Sequence, residues 1–383
     1  MNTKQKRKEL LGIELMRGVA AFSVVLAHSG DRTWGEMSDA VAILRNIFSF
    51  HVPFFLAISF YFLSKKMLRS GEKLDTKTEM GVRFRRIATP YIIWSIIYLI
   101  FRSLFFLGQS QSQEIAKLYD DPISTVFLGG ASYHLYFLPL LLTGTLTLYG
   151  LNHLVKKWSL AKIACVILIG ISLRVIVLTT SNQFVLGPNI AFVNLFDQIG
   201  IDPYKNMLLR FLAVFAVWII TCLPFVGVAL LFSFAELWID KRDHQISSSS
   251  LHVASYIVLG TSVVVFFMAT FLIANEPFLR PFQKLTVAFS LVATAITLSY
   301  TLIKQKNIFG EVAISLGQCS LGIYLIHPLV VRSVRLFISN LYPKVLDAVS
   351  ISSVTTIACL SFVVSWMLVF AMSKNKFLNK YMV

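Results

Sequence analysis

Residues 13–30 read IELMRGVAAFSVVLAHSG, an apolar run that is interrupted by Arg17 and nears its end at His28. A helix needs about 20 predominantly apolar residues to cross a bilayer, and this segment has that length and character. A charged or titratable side chain inside the hydrocarbon is costly unless it is paired or functional. The stretch therefore predicts a transmembrane helix and marks Arg17 and His28 as candidates for a functional role.

The composition of the whole chain is that of an integral membrane protein. Of its 383 residues, 56% are hydrophobic and only 14% are charged, against roughly 45–50% and 25% in soluble domains. We predict an all-α polytopic membrane protein with about ten transmembrane helices, forming a single transmembrane domain over residues 1–383 with no soluble domain. The predicted spans are 10–29, 44–63, 88–107, 134–151, 160–180, 210–234, 251–273, 285–303, 314–338 and 349–372.

The basic residues predict how these spans are oriented. The chain carries 35 Lys and Arg and a formal net charge of +16. If the spans alternate, most of these residues fall on one side, which is therefore expected to be cytoplasmic and to hold both termini. We interpret the positive charge as membrane topology and expect no nucleic-acid partner. The basic segments on that side are the N-terminal tail, the 64–87 loop and the stretches around Lys156, Lys241, Lys304 and Lys374.

The first span places a cation and an imidazole on one helical stripe. Eleven residues at about 100° each bring His28 to within about 20° of Arg17, about 16 Å further along the axis. Glu14 precedes Arg17 by three residues, a spacing that allows an ion pair on the same helix. Under the predicted topology, Arg17 lies in the inner half of the membrane and His28 at its outer end. The alternative is that Arg17 reaches the inner headgroups and His28 is an interfacial residue.

Three further histidines are predicted to lie at the depth of His28. His51 begins the second span, His134 begins the fourth, and His327 lies past the middle of the ninth. A single histidine in a span is often a satisfied structural group, whereas four at one depth favour a polar cavity near the outer face.

The stretch RFRRIATPY at 83–91 offers cations on the cytoplasmic side. Arg83 and Arg86 are three residues apart and share one side of a helix, and the planar guanidinium suits phosphate. The ordinary basic flank of a span is the alternative interpretation. Together with Arg17, these residues suit a cytoplasmic polyanion such as a coenzyme A thioester. His28, as a neutral imidazole, is then the candidate to accept a proton from a sugar hydroxyl that attacks the thioester.

Five segments of the chain, taken in order, resemble the membrane-bound acyltransferase 3 family. Three of them carry a recognisable residue pattern. These are the Arg-x10-His pattern of Arg17 and His28, the Arg-x-x-Arg pattern of Arg83 and Arg86, and an S-x-G-I-Y-L-x-H pattern that ends at His327. The five segments are IELMRGVAAFSVVLAHSG, FHVPFFLAISFYFLSKK, RFRRIATPYIIWSIIY, YHLYFLPLLL and LGQCSLGIYLIHPLVV.

The resemblance implies a ten-helix core that moves acyl groups, usually acetyl from acetyl-CoA, onto carbohydrate hydroxyls at or beyond the outer face. By position it gives the catalytic role to His28 and the donor-binding roles to Arg17, Arg83 and Arg86. Two departures stand out: Phe60 follows Ser59 where family members usually have Ser-Gly, and Tyr136 replaces a common Trp. We expect the acceptor end to be lined by His51, Ser59, His134, Tyr136, Tyr324 and His327.

The leading prediction is an integral-membrane O-acyltransferase that transfers acetyl from cytoplasmic acetyl-CoA to a hydroxyl of an exported polysaccharide or a lipid-linked glycan. The expected location is the plasma (inner) membrane, with polysaccharide assembly or export machinery as a further partner. The alternative is a polysaccharide or lipid-linked sugar transporter in which the same buried polar residues form the path.

Other polar residues and the cysteines receive limited roles. The four cysteines lie in predicted spans without CxxC or CxxH spacing, so we expect neither a metal site nor a disulfide. Asp31 and Glu36 are candidates to orient an imidazole from the first outer loop. Arg174, inside the fifth span, has no assigned role.

Overall fold

The computed structural model describes residues 11–30, 37–70, 75–155, 157–180, 205–242, 248–273, 279–301, 308–341 and 349–382, together with residues 200 and 202. Within these ranges the chain is helical, and the sole β feature is a parallel bridge between Met37 and Val349. The helices are α1 Leu11–His28, α2 Asp39–Ile47, α3 His51–Ser70, α4 Thr76–Gly108, α5 Ser112–Tyr119, α6 Pro122–Phe127, α7 Phe137–Leu154, α8 Leu160–Thr180, α9 Met207–Arg242, α10 Ser248–Phe271, α11 Arg280–Thr301, α12 Ile308–Leu341, α13 Ile351–Lys374 and α14 Lys376–Tyr381.

The predicted membrane architecture is confirmed. In the described part of the chain, nine segments are long and apolar enough to cross a membrane, and they belong to α1, α2 with α3, α4 and α8–α13. The remaining predicted span, 134–151, corresponds to α7, an 18-residue helix whose last turns carry Asn152 and His153, and it is not among the nine. The orientation of the termini and the single-domain organisation stay predictions.

The described residues form two compact units. One unit comprises those of Met1–Phe55 and His244–Tyr381, and the other comprises those of Leu56–Asp243 together with Met382. We call these the α1 unit and the α4 unit after the helices that carry the candidate arginines. The division between them falls inside α3.

In the α1 unit, the first helix packs against α11, α12 and α13. Its contacts depend on glycines: a Cβ at Gly12 would meet the carbonyl oxygen of Ala295 at 2.5 Å, and one at Gly18 would meet Leu316 at 2.8 Å. Membrane helices associate through such small residues because their backbones can then approach closely. The first helix is therefore held tightly along its length, which fixes where its polar residues lie.

In the α4 unit, α9 packs against α7 and α8, and α4 packs against α7. Gly170 of α8 lies against Pro224, which interrupts the hydrogen bonding of α9, and Gly227 lies against Ile167. The helix that carries Arg83 begins at a cap: the Asp75 carboxylate accepts the backbone N–H of Thr78 at 3.3 Å. Hydrogen bonds from the Thr78 side chain and backbone lower the pKa of Asp75.

Candidate active site

The ion pair predicted on the first helix is present. Nη1 of Arg17 donates to both carboxylate oxygens of Glu14, at 3.2 and 3.0 Å. Gly317 of α12 packs directly against Glu14, so the pair lies at a helix contact. Since both bonds use Nη1, three of the five N–H donors of the Arg17 guanidinium lie outside this ion pair. Arg17 is thus charge-balanced in the membrane and still equipped to hold an anion.

At the other end of α1, His28 lies against His327. The two imidazole rings stack with their centroids 5.3 Å apart and their planes 29° apart. His327 is fully buried, and the ring of Tyr324 lies 5.9 Å from it. His28, which was predicted to be catalytic, therefore meets Tyr324 and His327, which were predicted to line the acceptor end, within the α1 unit. The contact also places His28 and His327 at one level of the helix pair, as the sequence predicted.

The orientation of His327 follows from the proline that comes after it. Pro328 lies inside α12 and has no N–H, so the carbonyl of Tyr324, four residues earlier, lacks its helical partner. Nδ1 of His327 lies 2.7 Å from that carbonyl oxygen. A carbonyl can only accept, so Nδ1 carries the proton and Nε2 is the basic nitrogen of the neutral ring. The His-Pro dipeptide thus fixes the tautomer of His327.

His51 joins this group through a serine of the first helix. Its Nδ1 lies 3.2 Å from Ser23 Oγ and 3.2 Å from the carbonyl oxygen of Phe48. The Ser23 hydroxyl also donates to that carbonyl. Ser23 is fully buried and ties the turn at 48–50 to α1. His51 and His28 are close enough to interact electrostatically, so the predicted histidine cluster contains three of its four members in this unit.

Arg45 is a site residue that the sequence reasoning missed. Its Nη1 donates to the carbonyl oxygen of Gly30 at 3.0 Å, two residues beyond the end of α1, where arginine commonly satisfies unpaired carbonyls. The guanidinium is also close enough to His28 to act on it electrostatically. The signal for Arg45 in the sequence is the presence of a basic residue inside the predicted span 44–63.

In the α4 unit, Arg83 is bound to Ser59. Nη2 of Arg83 donates to Ser59 Oγ at 2.5 Å and to its carbonyl oxygen at 3.2 Å. Nε of Arg83 is buried and has no hydrogen-bond partner among the described residues. Ser59 was predicted for the acceptor end, but the structure places it beside a predicted donor-binding arginine. Arg86, one turn along α4 from Arg83, is exposed.

A tight turn holds the remaining predicted residues of this unit. Gly129 has φ of 82°, and a Cβ there would overlap the backbone nitrogen of Tyr136. The backbone N–H of Gly129 donates to the Tyr91 hydroxyl at 3.0 Å. His134 is buried, with Nδ1 at 3.1 Å from Ser132 Oγ. Tyr136 is half-buried at the start of α7. Both residues therefore lie in one ordered turn of the α4 unit.

The departure at Phe60 is accommodated on the facing helix. Phe60 is fully buried, and its ring occupies the space that a Cβ on Gly144 of α7 would need. Cys222 Sγ approaches the same point at 2.8 Å. The small residue of this contact is therefore Gly144 on α7, and α3 and α7 can still approach each other closely.

Some candidates have no defined place in the site. Among the described residues, no group of three or more His, Cys, Asp or Glu is arranged to hold a metal ion. Arg174 is 6% exposed and close to the Cys222 thiol, and its Nε has no hydrogen-bond partner in the described part of the chain. Asp31 and Glu36 lie outside the described residues.

The family model for the acyltransferase domain of the acyltransferase 3 family matches residues 10–370, nearly the whole chain. The chain belongs to the acyltransferase 3 family. This confirms the resemblance seen in the sequence, and it makes the protein a multi-pass membrane acyltransferase that requires an acyl donor and an acceptor. Neither a curated protein nor a solved structure matches the chain. In the α1 unit of this acyltransferase, the histidine cluster and Arg17 are candidates for catalysis and donor binding. In the α4 unit, Arg83 and Arg86 are candidates for donor binding.

Proposed function

We propose that the protein is an O-acetyltransferase of the plasma membrane that uses cytoplasmic acetyl-CoA and modifies a hydroxyl of an exported polysaccharide or lipid-linked glycan. The observation that carries the proposal is the stacking of His327 on His28, which lies on the same helix as Arg17. A base at one end of α1 and an anion-binding group at the other suit a long donor with an anionic head and a reactive thioester. Polysaccharide assembly or export machinery is the proposed source of the acceptor.

In this proposal, His28 is the general base. It takes the proton of the acceptor hydroxyl as the oxygen attacks the thioester carbonyl. The tetrahedral intermediate then expels the CoA thiolate, which recovers the proton from the imidazolium. The ester and the free thiol are formed, and His28 returns to its neutral form. His327, Tyr324 and His51 surround this centre and position the acceptor.

The arginines hold the donor. Arg17 offers the N–H groups that its pair with Glu14 leaves, and Arg83 and Arg86 bind phosphate oxygens through charge-assisted hydrogen bonds. Because Ser59 orients the Arg83 guanidinium, we assign Ser59 to the donor end. His134 and Tyr136 remain acceptor-binding residues in the proposal.

The test is release of CoA by the purified, detergent-solubilised protein given acetyl-CoA and a panel of glycan acceptors. We expect acceptor-dependent release in the wild type, a loss of about 10²–10⁴-fold in His28→Ala, and donor binding unchanged in that variant. Arg17→Ala should weaken donor binding. His153→Ala is the matched control, because His153 is exposed near the end of α7 and should behave like the wild type.

The outcome also separates transfer from transport. A transporter that uses the same polar residues would not consume acetyl-CoA, whereas family membership favours group transfer. If the wild type neither binds nor consumes acetyl-CoA with any acceptor of the panel, the donor assignment is wrong. If CoA is released from another acyl-CoA but not from acetyl-CoA, the protein still catalyses acyl transfer and the transferred group is not acetyl.

A further inference from the structure

A cavity lies away from the histidine cluster, between the start of α12 and the end of α13. Its volume is about 520 Å³, within the range of ligand-binding pockets. Its lining combines two opposite charges, several hydrogen-bonding side chains and apolar surface. We call it the α12–α13 cavity, and the lining residues that matter here are Glu311, Ser315, Gln318, Phe370, Ser373 and Lys374.

The cavity lies where one apolar helix begins and another ends, which is where we expect the membrane surface. α12 and α13 pack against each other along the α1 unit, and the cavity involves the first turn of one helix and the last turn of the other. Lys374 is followed by Lys376 and Lys380, and this end is the one that the basic residues predict to be cytoplasmic. Trp366, two turns before Lys374, donates to Ser315 at 3.1 Å, and tryptophan is typical of the membrane interface.

The two charges in the cavity do not neutralise each other. Among the described residues, no ion pair joins Glu311 to Lys374, and the Lys374 ammonium lies over the Phe370 ring instead, 4.4 Å from its centroid. Both residues are exposed and line the cavity. A ligand that carries a phosphate and an amine would complement both charges at once.

We propose that the α12–α13 cavity binds the headgroup of phosphatidylethanolamine from the inner leaflet. Lys374 binds the phosphate, and Glu311 accepts hydrogen bonds from the primary ammonium. Phe370 contacts the glycerol region. The choline headgroup lacks N–H donors, so Glu311 distinguishes the two zwitterionic lipids. This lipid site goes beyond the proposed acyl transfer and does not depend on it.

The experiment is native mass spectrometry of the full-length protein released from detergent, with phosphatidylethanolamine, phosphatidylcholine and phosphatidylglycerol added in equal amounts. We expect the wild type to retain phosphatidylethanolamine about tenfold more than phosphatidylcholine, the change that loss of a hydrogen bond to a charged group brings. Glu311→Gln should abolish this preference. Lys374→Met should reduce retention of both zwitterionic lipids.

Lys376→Met is the matched control, because Lys376 is a basic residue of the same end that does not line the cavity; it should retain lipid like the wild type. Equal retention of the two zwitterionic lipids, or an unchanged preference in Glu311→Gln, would overturn the proposal. Stronger retention of phosphatidylglycerol would overturn it in favour of a simple attraction of basic residues for anionic lipid. Displacement of the bound lipid by CoA would overturn it in favour of a donor-binding cavity.

Discussion

The imidazoles of His28 on α1 and His327 on α12 stack at 5.3 Å between ring centroids, although 299 positions separate them in the chain. The backbone carbonyl of Tyr324 fixes the proton of His327 on Nδ1. Protonation of both rings at once is disfavoured at this distance, because the second positive charge would be repelled by the first. The pair is therefore the natural focus of tests of the proposed chemistry.

The first prediction concerns His327. His327→Phe keeps an aromatic ring beside His28 and removes both nitrogens, so we expect a fall in kcat with little change in donor KM. In the wild type, kcat/KM should decrease as the pH is lowered, because protonation of the pair removes the base. Steady-state CoA release at a series of pH values measures both effects. A wild-type kcat in His327→Phe would restrict the role of His327 to packing.

The second prediction concerns the assignment of Ser59. Ser59→Ala removes the hydroxyl that accepts from Arg83 Nη2, so the guanidinium loses part of its orientation. We expect a several-fold rise in the KM for the acyl donor, in keeping with loss of one hydrogen bond to a charged group, and an unchanged KM for the acceptor. Arg85→Ala serves as the control, because Arg85 is exposed and bonds only to the carbonyl of Gly81 in the described structure. A rise in acceptor KM alone would return Ser59 to the acceptor end.

The third prediction concerns the contact of Phe60 with Gly144. Gly144→Ala places a methyl group where the Phe60 ring and Cys222 lie, and overpacking of this kind costs about 1–3 kcal/mol. Thermal unfolding in detergent should show a lower midpoint. Phe60→Leu should recover much of the loss in the double variant, since the two residues share one space. Strictly additive effects would show that the two side chains do not compete.

The fourth prediction concerns Arg174. Its guanidinium is buried beside Cys222 with Nε unsatisfied among the described residues. A well-packed apolar residue in place of a buried charge is often neutral or stabilising by about 1–4 kcal/mol. We therefore expect Arg174→Met to unfold at the wild-type temperature or above, with unchanged kcat. A clearly lower unfolding temperature would contradict this expectation and show that the buried guanidinium makes a net stabilising contribution.

Much of the architecture was predictable because it depends on composition and periodicity. Apolar runs located the helices, and the three-residue spacing of Glu14 and Arg17 predicted their ion pair. The common depth of His28 and His327 also followed from alternating spans. The break between α2 and α3 did not, because the turn at 48–50 lies within an apolar stretch and hydropathy does not distinguish a bent segment from a straight one.

The contacts of the site were harder to predict because they join distant segments. Nothing local to Ser59 indicates that Arg83 will bind it, since 24 residues separate the two. Arg45 donates to the carbonyl of Gly30, 15 positions earlier, and no spacing rule predicts that contact. Sequence spacing constrains neighbours on one helix, whereas partners across helices depend on crossing and register.

Pro328 has a consequence for how a base can be aligned inside a lipid bilayer. In water-exposed enzymes a carboxylate commonly orients a histidine, but an anion at that position would carry a heavy solvation penalty in hydrocarbon. Here an uncharged peptide oxygen performs the alignment, freed by a residue that cannot donate. The alignment depends on the backbone carbonyl of residue 324 and not on its side chain, so Tyr324→Phe leaves it intact. The side chain at position 324 can therefore vary without disturbing the ring that stacks on His28.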